Sequence, residues 1–355
     1  MASFAQQVAV TTRQAFDAAP QPATRDLVIA GIPIRLRATD ADLLTAFSIA
    51  LNHHTTTPSV TSGDAVSQIN IWSASATGIT RPTMPSGLRD RVIARRADLS
   101  PGGDHHLDFD PTARMLTVMD PQTGNVDVCV NDLADLPQWE MAAPLRSPLG
   151  WILRRHDRHF LHAAAVCDDS GDAALLLGAG GAGKSTASLR CRQAGMGFLG
   201  DDICAVAPGA DPEVFNVYGT AKAVWSDHGR FPDLTDFLIT DPTEFGYKAV
   251  YAVNRSADSR LVDRARLRVL ILVDRTLPQG TVIRANPARA VTLVATTTAS
   301  FLPGGGRPML TALADVVRRL PVLRMSLGQD PETVAAAVSA AIRDPEAALR
   351  GVRVD

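Results

Sequence analysis

The sequence predicts an α/β fold with a mixed β-sheet, preceded by a smaller α+β domain. Residues 172–177 have the length and apolar composition of a buried strand, and the glycine-rich segment 178–185 and a candidate helix follow directly. Another apolar run, 160–167, precedes that strand across a short, turn-rich joint, which predicts an antiparallel hairpin. A third run, 267–274, is continuously apolar, as is typical of a strand buried on both faces.

The composition is that of an ordinary globular chain. Its 355 residues are 46% hydrophobic and carry a formal net charge of −2, which suits one large domain or two smaller ones. The near-neutral charge argues against a nucleic-acid partner held mainly by electrostatics. No apolar run approaches the roughly 20 residues of a membrane span, and residues 1–24 lack the apolar core of a signal peptide. We therefore expect a cytoplasmic protein with no membrane partner.

The cysteines are expected to be reduced structural thiols. They are scattered along the chain and include no C-x-x-C pair, which argues against a disulfide or a metal site. The four positions are Cys129, Cys167, Cys191 and Cys204.

Three parts follow from the pattern along the chain. Residues 1–24, rich in Ala, Gln, Thr and Pro, are expected to form a flexible leader or one short helix. Residues 25–143 are expected to form an N-terminal α+β domain, and residues 144–355 the domain that carries the glycine-rich segment. The N-terminal domain shows no catalytic set of residues, so we expect it to shape or cover a substrate site.

The N-terminal domain is predicted to consist mainly of short strands joined by turns. Thr39 and Asp42 resemble a capping box and begin a helix to about residue 51. Residues 75–103, rich in Pro, Gly, Ser and Arg, predict irregular structure. Strands are predicted at 27–37 (two strands around Gly31), 69–72, 106–109, 115–119 and 126–130.

Helices and strands alternate in the second domain. Residues 219–264 are irregular and polar, and Asp330 with Pro331 is a typical start of the last helix. Besides the three strands named first, strands are predicted at 203–206, 214–218 and 322–325, and helices at 144–155, 185–194, 287–299, 310–320 and 331–342.

The glycine-rich segment Gly178–Ser185 matches the phosphate-binding pattern G-x-x-x-x-G-K-[ST] without a mismatch. Glycines allow backbone N–H groups to turn toward phosphate oxygens, and the N-terminus of the following helix adds partial positive charge. Lys184 can reach the β- and γ-phosphates, and the Ser185 hydroxyl can bind Mg²⁺. A glycine-rich turn without a ligand is the alternative. The predicted nucleotide contacts are Gly178, Gly180, Gly181, Ala182, Gly183, Lys184, Ser185 and Thr186.

Two adjacent carboxylates, Asp201 and Asp202, follow the loop by one helix length. Like charges oppose joint ionisation, so a buried pair needs a function. Next to Mg²⁺ and a triphosphate, one carboxylate can bind the metal or its waters, and the other can accept the proton of an attacking hydroxyl. Two solvated turn residues are the alternative interpretation.

This combination resembles the HPr kinase/phosphorylase family, bacterial serine kinases whose catalytic domain is related to phosphoenolpyruvate carboxykinase. The resemblance rests on three stretches: 161–166 with His162, 178–186, and 195–202 with the Asp pair. It implies a P-loop kinase domain of the HPr kinase/phosphoenolpyruvate carboxykinase type.

The resemblance also implies a role for each matching residue. Lys184 would hold the β- and γ-phosphates of ATP, and Ser185 the Mg²⁺ ion. Asp202 would be the base that activates an acceptor serine, and Asp201 would support the metal. His162 would lie beside the base and the transferred phosphoryl group, although a single histidine in a strand is more often structural.

The chain departs from the family pattern after the Asp pair. The family has a downstream metal-binding glutamate, whereas no glutamate occurs between Glu213 and Glu244 here; Asp227 and Asp233 are candidate substitutes. A basic segment could supply a lid cation or could be solvated; it contains Lys248, Arg255 and Arg260.

The substrate is expected to differ from that of the family. The family's C-terminal helix motif for its sugar-transport substrate protein is not recognisable, so HPr itself is not predicted. Both ends of the chain are more similar to HPr kinase-like enzymes that occur with ribosomal peptide biosynthesis, including lasso peptides.

The sequence therefore predicts an ATP- and Mg²⁺-dependent kinase that acts on a serine hydroxyl of a peptide or small protein. Removal of phosphate from a phosphoserine, a small-molecule kinase acting on serine or a sugar, and a non-catalytic nucleotide-binding regulator are the alternatives. The chain could also form a homo-oligomer.

Overall fold

The structure is a computed structural model that describes residues 3–55, 66–85, 106–240, 248–301, 307–328 and 330–350. The chain forms two compact units, with the boundary between His156 and Asp157. Most of the irregular segment predicted at 75–103 lies outside the described residues.

The first unit is built on a six-stranded mixed sheet. Its strands are β1 (Ala23–Ile29), β2 (Ile32–Ala38), β3 (Ser67–Ser73), β4 (His106–Asp110), β5 (Met115–Met119) and β6 (Val126–Val130). Their order in the sheet is β1-β2-β3-β6-β5-β4. β2, β3 and β6 run parallel, and antiparallel hairpins lie on either side. The strands predicted for this region are confirmed.

Five helices belong to the first unit in the described part of the chain. They are α1 (Phe4–Ala18), α2 (Ala41–Ser48), α3 (Ala74–Thr77), α4 (Gln138–Ala142) and α5 (Arg146–Arg154). Residues 4–18, expected as a flexible leader or a short helix, form α1, which begins at a capping box between Ser3 and Gln6. Its apolar side packs on the sheet beside the buried Trp72.

Helix α5 lies in the first unit, whereas the sequence assigned residues from 144 onward to the second domain. The fully buried Trp151 of α5 stacks on His106 with 5.4 Å between the ring centroids. The Ser147 hydroxyl hydrogen-bonds to Asp108 of β4. The domain boundary therefore follows this helix, because its contacts are with the first sheet.

The second unit contains a nine-stranded mixed sheet. Its strands are β7 (His159–Leu161), β8 (Ala164–Cys167), β9 (Asp172–Leu177), β10 (Gly197–Gly200), β11 (Cys204–Ala207), β12 (Glu213–Phe215), β15 (Arg264–Val273), β16 (Val282–Arg284) and β17 (Val322–Met325); a separate ribbon pairs β13 (Ala221–Val224) with β14 (Lys248–Tyr251). The main order is β10-β8-β9-β15-β12-β11-β7, and β17 also pairs with β15. The predicted mixed sheet is confirmed.

The hairpin predicted before the glycine-rich segment is confirmed for β8 and β9, which pair antiparallel. The single strand predicted at 160–167 is wrong in one respect, because it is divided into β7 and β8. β7 pairs with β11, whereas β8 lies between β9 and β10. His162 and Ala163 form the break at which the chain changes its neighbours.

A parallel neighbour lies on the other side of β9. Leu175 and Leu176 of β9 are in register with Leu270 and Ile271 of β15. The glycine-rich segment therefore leaves the sheet at the carboxyl end of a parallel strand pair, where ligands bind in open α/β sheets.

Helices cover both faces of this sheet. They are α6 (Lys184–Gln193), α7 (Pro287–Phe301), α8 (Arg307–Arg319), α9 (Pro331–Arg343) and the short α10 (Pro345–Arg350). Buried residues of α7 and α8 pack on one face, and those of α6 and α9 on the other. The helices predicted after residue 184 are confirmed, including the cap of α9 by Asp330.

Residues 219–264, predicted to be irregular, contain the ribbon β13–β14 and short 3₁₀ helices. The ribbon buries Phe231 and Tyr251 together with Leu189 of α6. The exposed residues of the ribbon are polar, so the sequence pattern did not reveal this small core. The ribbon carries Lys222 and Lys248.

All four cysteines are buried and unpaired, and desolvation raises the pKa of Cys191 to about 12 and that of Cys167 to about 11. Their burial agrees with a structural role, and the predicted reduced state stays a prediction. Among the described residues, no helix is both long enough and apolar enough to span a membrane.

Candidate functional site

The glycine-rich segment joins β9 to the N-terminus of α6. Gly178 is packed closely against its neighbours, because an added Cβ would lie 2.8 Å from Ala182 Cβ and 3.3 Å from the Val273 carbonyl oxygen. Gly181 and Gly183 have φ angles of 79° and 105°, which favour glycine. Gly178, Gly181 and Gly183 are therefore required by the shape of the loop itself.

Lys184 is folded over this loop. Its side chain is buried, and Nζ donates to the carbonyl oxygens of Gly178 at 2.7 Å and Ala179 at 3.3 Å. Burial lowers the pKa of Lys184, while Asp201 and Asp202 oppose that shift. The ammonium group is thus held by two loop carbonyl oxygens, and both carboxylates lie within electrostatic range of it.

The N-terminus of α6 is not capped by a side chain. Gly183 occupies the N-cap position and offers no oxygen to the first N–H groups of this ten-residue helix. Ser185, in the first turn, lies close enough to Asp201 to offset part of the rise that burial causes in the pKa of that carboxyl. The loop, the helix N-terminus and the Asp pair therefore form one site.

The Asp pair lies in a constrained turn between β10 and β11. Asp202 has a φ of 72°, in the left-handed region that only a few per cent of non-glycine residues adopt. The buried Asn216 side chain supports the turn by donating to the Leu199 carbonyl oxygen at 2.9 Å. Asp adopts this region more readily than most residues, and non-glycine residues in it are enriched at functional sites.

Asp202 is held between two basic side chains. His162 Nε2 lies 3.1 Å from Asp202 Oδ1, and Lys222 Nζ lies 2.5 Å from Oδ2. Burial alone would raise the pKa of Asp202, but Lys222 and His162 together hold it far below its ordinary value. The carboxylate is therefore ionised and fixed in direction.

Asp201 has the opposite electrostatic environment. Burial, followed by the charge of Asp202, raises its pKa, although Oδ2 accepts a hydrogen bond from the Lys222 backbone N–H at 2.9 Å. Its buried Oδ1 has no hydrogen-bond partner. An unpaired carboxylate oxygen in a dry site is costly unless a ligand completes it.

Mg²⁺ suits this pair of oxygen donors. The Ser185 hydroxyl and the unpartnered Asp201 Oδ1 are hard ligands, and Mg²⁺ commonly uses one or two protein ligands with waters and phosphate oxygens. In the described part of the chain, no group of three or more His, Cys, Asp or Glu residues could hold a metal by itself. The residues present therefore fit a metal bound together with a nucleotide.

Lys222 is the residue that sequence analysis missed. The chain has only three lysines among its 35 basic residues: Lys184, Lys222 and Lys248. Lys184 lies in the loop, Lys222 on Asp202, and Lys248 close enough to lower the pKa of Lys184. The sequence signal that could have identified Lys222 was the scarcity of lysine in an arginine-rich chain.

The acids considered as substitutes for the family glutamate are engaged elsewhere. Asp233 forms an ion pair with Arg192 at 2.5 Å, and Asp227 with Arg230 at 3.1 Å. The structure does not bring either of them into contact with Ser185.

The three candidate lid cations have different surroundings. Arg260 Nη1 donates to the Gly195 carbonyl oxygen, and Arg255 lies in a 3₁₀ helix. Lys248 begins β14, next to residues 241–247, which are outside the described residues. Of the three, Lys248 interacts electrostatically with the loop lysine.

Asp274, at the end of β15, is another acid beside the loop that the sequence did not single out. Hydrogen bonds from Thr276, followed by Arg324 at 2.6 Å, lower the pKa of Asp274 to about 2. Arg275 approaches the Gly181 carbonyl oxygen at 3.5 Å. Asp274 is thus committed to structural partners, whereas Asp201 retains an unpaired oxygen.

Comparisons with known proteins yield a distant structural similarity. No protein-family model and no curated protein sequence matches the chain. A solved structure of the HPr(Ser) kinase/phosphatase from Coxiella burnetii is 11% identical, covers 54% of this chain and 99% of that chain, and has a TM-score of 0.29. A similarity at this level carries no argument about the site, so the functional assignment rests on the geometry above.

Proposed function

We propose that this protein is an ATP- and Mg²⁺-dependent kinase that transfers the γ-phosphoryl group to a serine hydroxyl of a peptide or small protein. The observation that carries the proposal is Asp202, held in the left-handed region between His162 and Lys222. Its neighbour Asp201 links this carboxylate to Ser185 of the glycine-rich loop. A regulator that only binds nucleotide has no need for such a fixed carboxylate.

The loop is proposed to bind the triphosphate. Lys184 exchanges its hydrogen bonds to Gly178 and Ala179 for oxygens of the β- and γ-phosphates. The N–H groups at the start of α6 face the same anion. Ser185 and Asp201 hold Mg²⁺, which supplies neutralisation of the charge on the phosphate oxygens.

Asp202 is proposed to position the acceptor hydroxyl. Each carboxylate oxygen has two lone pairs, so it can accept this hydrogen bond while keeping His162 and Lys222 as partners. The hydroxyl oxygen bonds to the γ-phosphorus, the bond from that phosphorus to the ADP oxygen breaks, and the proton passes to Asp202. Its lowered pKa makes orientation, rather than strong basicity, the main contribution of Asp202.

The acceptor class is tested by mass spectrometry of products formed with ATP and Mg²⁺. We would offer a library of serine-containing peptides in one reaction and free L-serine in another, each with an Asp202→Asn control. A gain of one phosphate on peptides that is lost in the control supports the proposal. Phosphorylation of free serine alone would indicate a small-molecule kinase. Calorimetric ATP binding without any transfer would indicate a regulatory protein and overturn the proposal.

A further inference from the structure

The first unit contains a pocket of about 500 Å³ that the proposed reaction does not use. It lies between α1 and the six-stranded sheet, and every residue that lines it belongs to this unit. Its volume is within the range of about 300–1,000 Å³ that is usual for small-molecule sites. The polar lining that matters here is Thr12, Arg13, Arg37, Asn70 and Asp127, with Phe16 beside them.

A polar row crosses the sheet at the floor of this pocket. Arg37 of β2 is in register with Asn70 of β3, and Asn70 is in register with Asp127 of β6. The apolar Val118 of β5, in register with Asp127, ends the polar row. Farther along the same helix, the face under α1 is apolar and includes the buried Trp72. Arg37, Asn70 and Asp127 are partly buried beside the helix, and partly buried polar groups cost free energy unless they are satisfied.

Asn70 shows the spacing that the row accommodates. Its side-chain oxygen accepts from Gln68 Nε2 at 2.7 Å and faces Arg37 Nη1 at 3.5 Å, while its Nδ2 donates to Asp127 Oδ1 at 2.9 Å. One amide therefore bridges a cation and a carboxylate, with Gln68 as a further partner of its oxygen. A ligand with an acceptor and a donor at similar separation can lie alongside it.

Arg37 retains hydrogen-bond donors for such a ligand. The Arg37 guanidinium lies over the Phe16 ring, 4.6 Å from its centroid, and has no carboxylate within ion-pair distance in the described part of the chain. Arg35, two residues earlier on the same strand, instead forms a two-pronged ion pair with Asp26 at 2.7 and 2.9 Å. The contrast shows that Arg37 is directed into the pocket without a counter-ion.

Asp127 provides the opposite charge. Its carboxyl accepts a hydrogen bond from Asn70 at 2.9 Å, and the nearby Thr12 hydroxyl accepts one from Trp72 Nε1 at 3.1 Å. Desolvation raises the pKa of Asp127, and the hydrogen bond from Asn70 and the charge of Arg13 only partly offset this. A cationic group in the pocket would compensate this partly buried carboxylate.

We infer that this pocket binds a free α-amino acid, with the ligand carboxylate at Arg37 and the ligand ammonium at Asp127. An α-amino acid places both charges on one carbon, which matches the one-amide spacing shown by Asn70. This inference goes beyond the proposed kinase reaction and does not depend on it.

The first test uses the full chain and calorimetry with the twenty common amino acids as separate probes. We expect at least one of them to bind with micromolar to millimolar affinity. For that amino acid, the analogue without the amino group and the analogue without the carboxyl group should each bind at least about tenfold more weakly, since each loses one charged contact.

The second test places the ligand in the pocket. Arg37→Gln and Asp127→Asn should each weaken binding about tenfold to a hundredfold, because each removes a charge-assisted hydrogen bond. Arg35→Gln, the same change two residues away on the same strand, should leave the affinity within about twofold, because that side chain is directed to Asp26.

Three results would overturn the inference, and the first two do not depend on a variant that folds poorly. One is that no amino acid binds at about 10 mM, a limit that corresponds to less than 3 kcal/mol. Another is that the analogue without the amino group binds as well as the amino acid, which would indicate a simple anion site. Binding that persists unchanged in both Arg37→Gln and Asp127→Asn would likewise exclude this pocket.

Discussion

At the scale of single residues, two neighbouring carboxylates have opposite environments. Asp202 is paired with His162 and Lys222, which hold its pKa low, whereas burial and Asp202 raise the pKa of Asp201. Divergent pKa values in adjacent acids are typical of sites that divide two roles between them. Here the division is between orienting a hydroxyl and binding a metal.

Asp201→Asn is predicted to stabilise the nucleotide-free protein and to abolish its Mg²⁺-dependent activity. When folding raises the pKa of an acid, the stability that this acid contributes is fully present below its unfolded-state pKa of about 4. This stability is lost as the pH rises through the folded-state pKa. Ionised Asp201 is therefore unfavourable at pH 7, and its removal should add about 1–2 kcal/mol to the free energy of unfolding. Urea unfolding at pH 7 checks the sign, and a destabilised variant would contradict this account of Asp201.

Lys222 is predicted to act on the reaction through Asp202. In Lys222→Met, the pKa of Asp202 should rise toward its ordinary value, so the acid limb of the rate–pH profile should move to higher pH. Lys222→Arg should largely restore the wild-type profile. The profile is measured as ADP formation with ATP and Mg²⁺. An acid limb that is the same in wild type and Lys222→Met would exclude this role.

At the scale of elements, the site depends on how strands bring the loop and the Asp pair together. The sequence predicted the hairpin, the loop and the helix after it, because local pattern encodes them: an apolar run, glycines at fixed spacing, then helical periodicity. It did not predict that β15 lies parallel to β9, or that the ribbon β13–β14 brings Lys222 to Asp202. Those pairings join distant segments, and no local pattern reports them.

Gly178→Ala is predicted to distort the loop, because the new Cβ would lie 2.8 Å from Ala182 Cβ and meet the backbone of β15. We expect a loss of about 1–3 kcal/mol in the free energy of unfolding and at least tenfold weaker ATP binding. Gly180→Ala is the matched control for stability, because an added Cβ there meets no atom within 4 Å. Equal unfolding free energies for the two variants would contradict the proposed packing of Gly178.

At the scale of the whole molecule, the two units carry separate chemistry. The second unit contains the loop, the Asp pair and all three lysines, and the first unit contains the pocket with Arg37 and Asp127. The sequence predicted the elements of the first unit but not the pocket, because its polar row is formed by residues from three strands. The boundary was placed before α5, since periodicity predicts a helix but not the sheet on which it packs.

The distribution of lysines over the molecule predicts a labelling pattern. An amine-reactive reagent has three lysine targets, and ATP with Mg²⁺ should reduce modification of Lys184 by about tenfold or more when its ammonium is bound to phosphate. AMP, which lacks the β- and γ-phosphates, should give little protection. Peptide mass spectrometry measures each site separately. Equal protection by AMP and ATP would contradict the assignment of Lys184.

The most direct test of the central claim compares nucleotide binding and phosphoryl transfer in the wild type and in Asp202→Asn. Calorimetry measures ATP–Mg²⁺ affinity, and transfer of labelled γ-phosphate to serine-containing peptides measures the reaction. We predict that Asp202→Asn retains ATP affinity within about threefold and loses at least about a hundredfold in transfer rate, because the hydroxyl is no longer held and deprotonated. Transfer at the wild-type rate in Asp202→Asn, or a wild-type protein that does not bind ATP, would contradict the account.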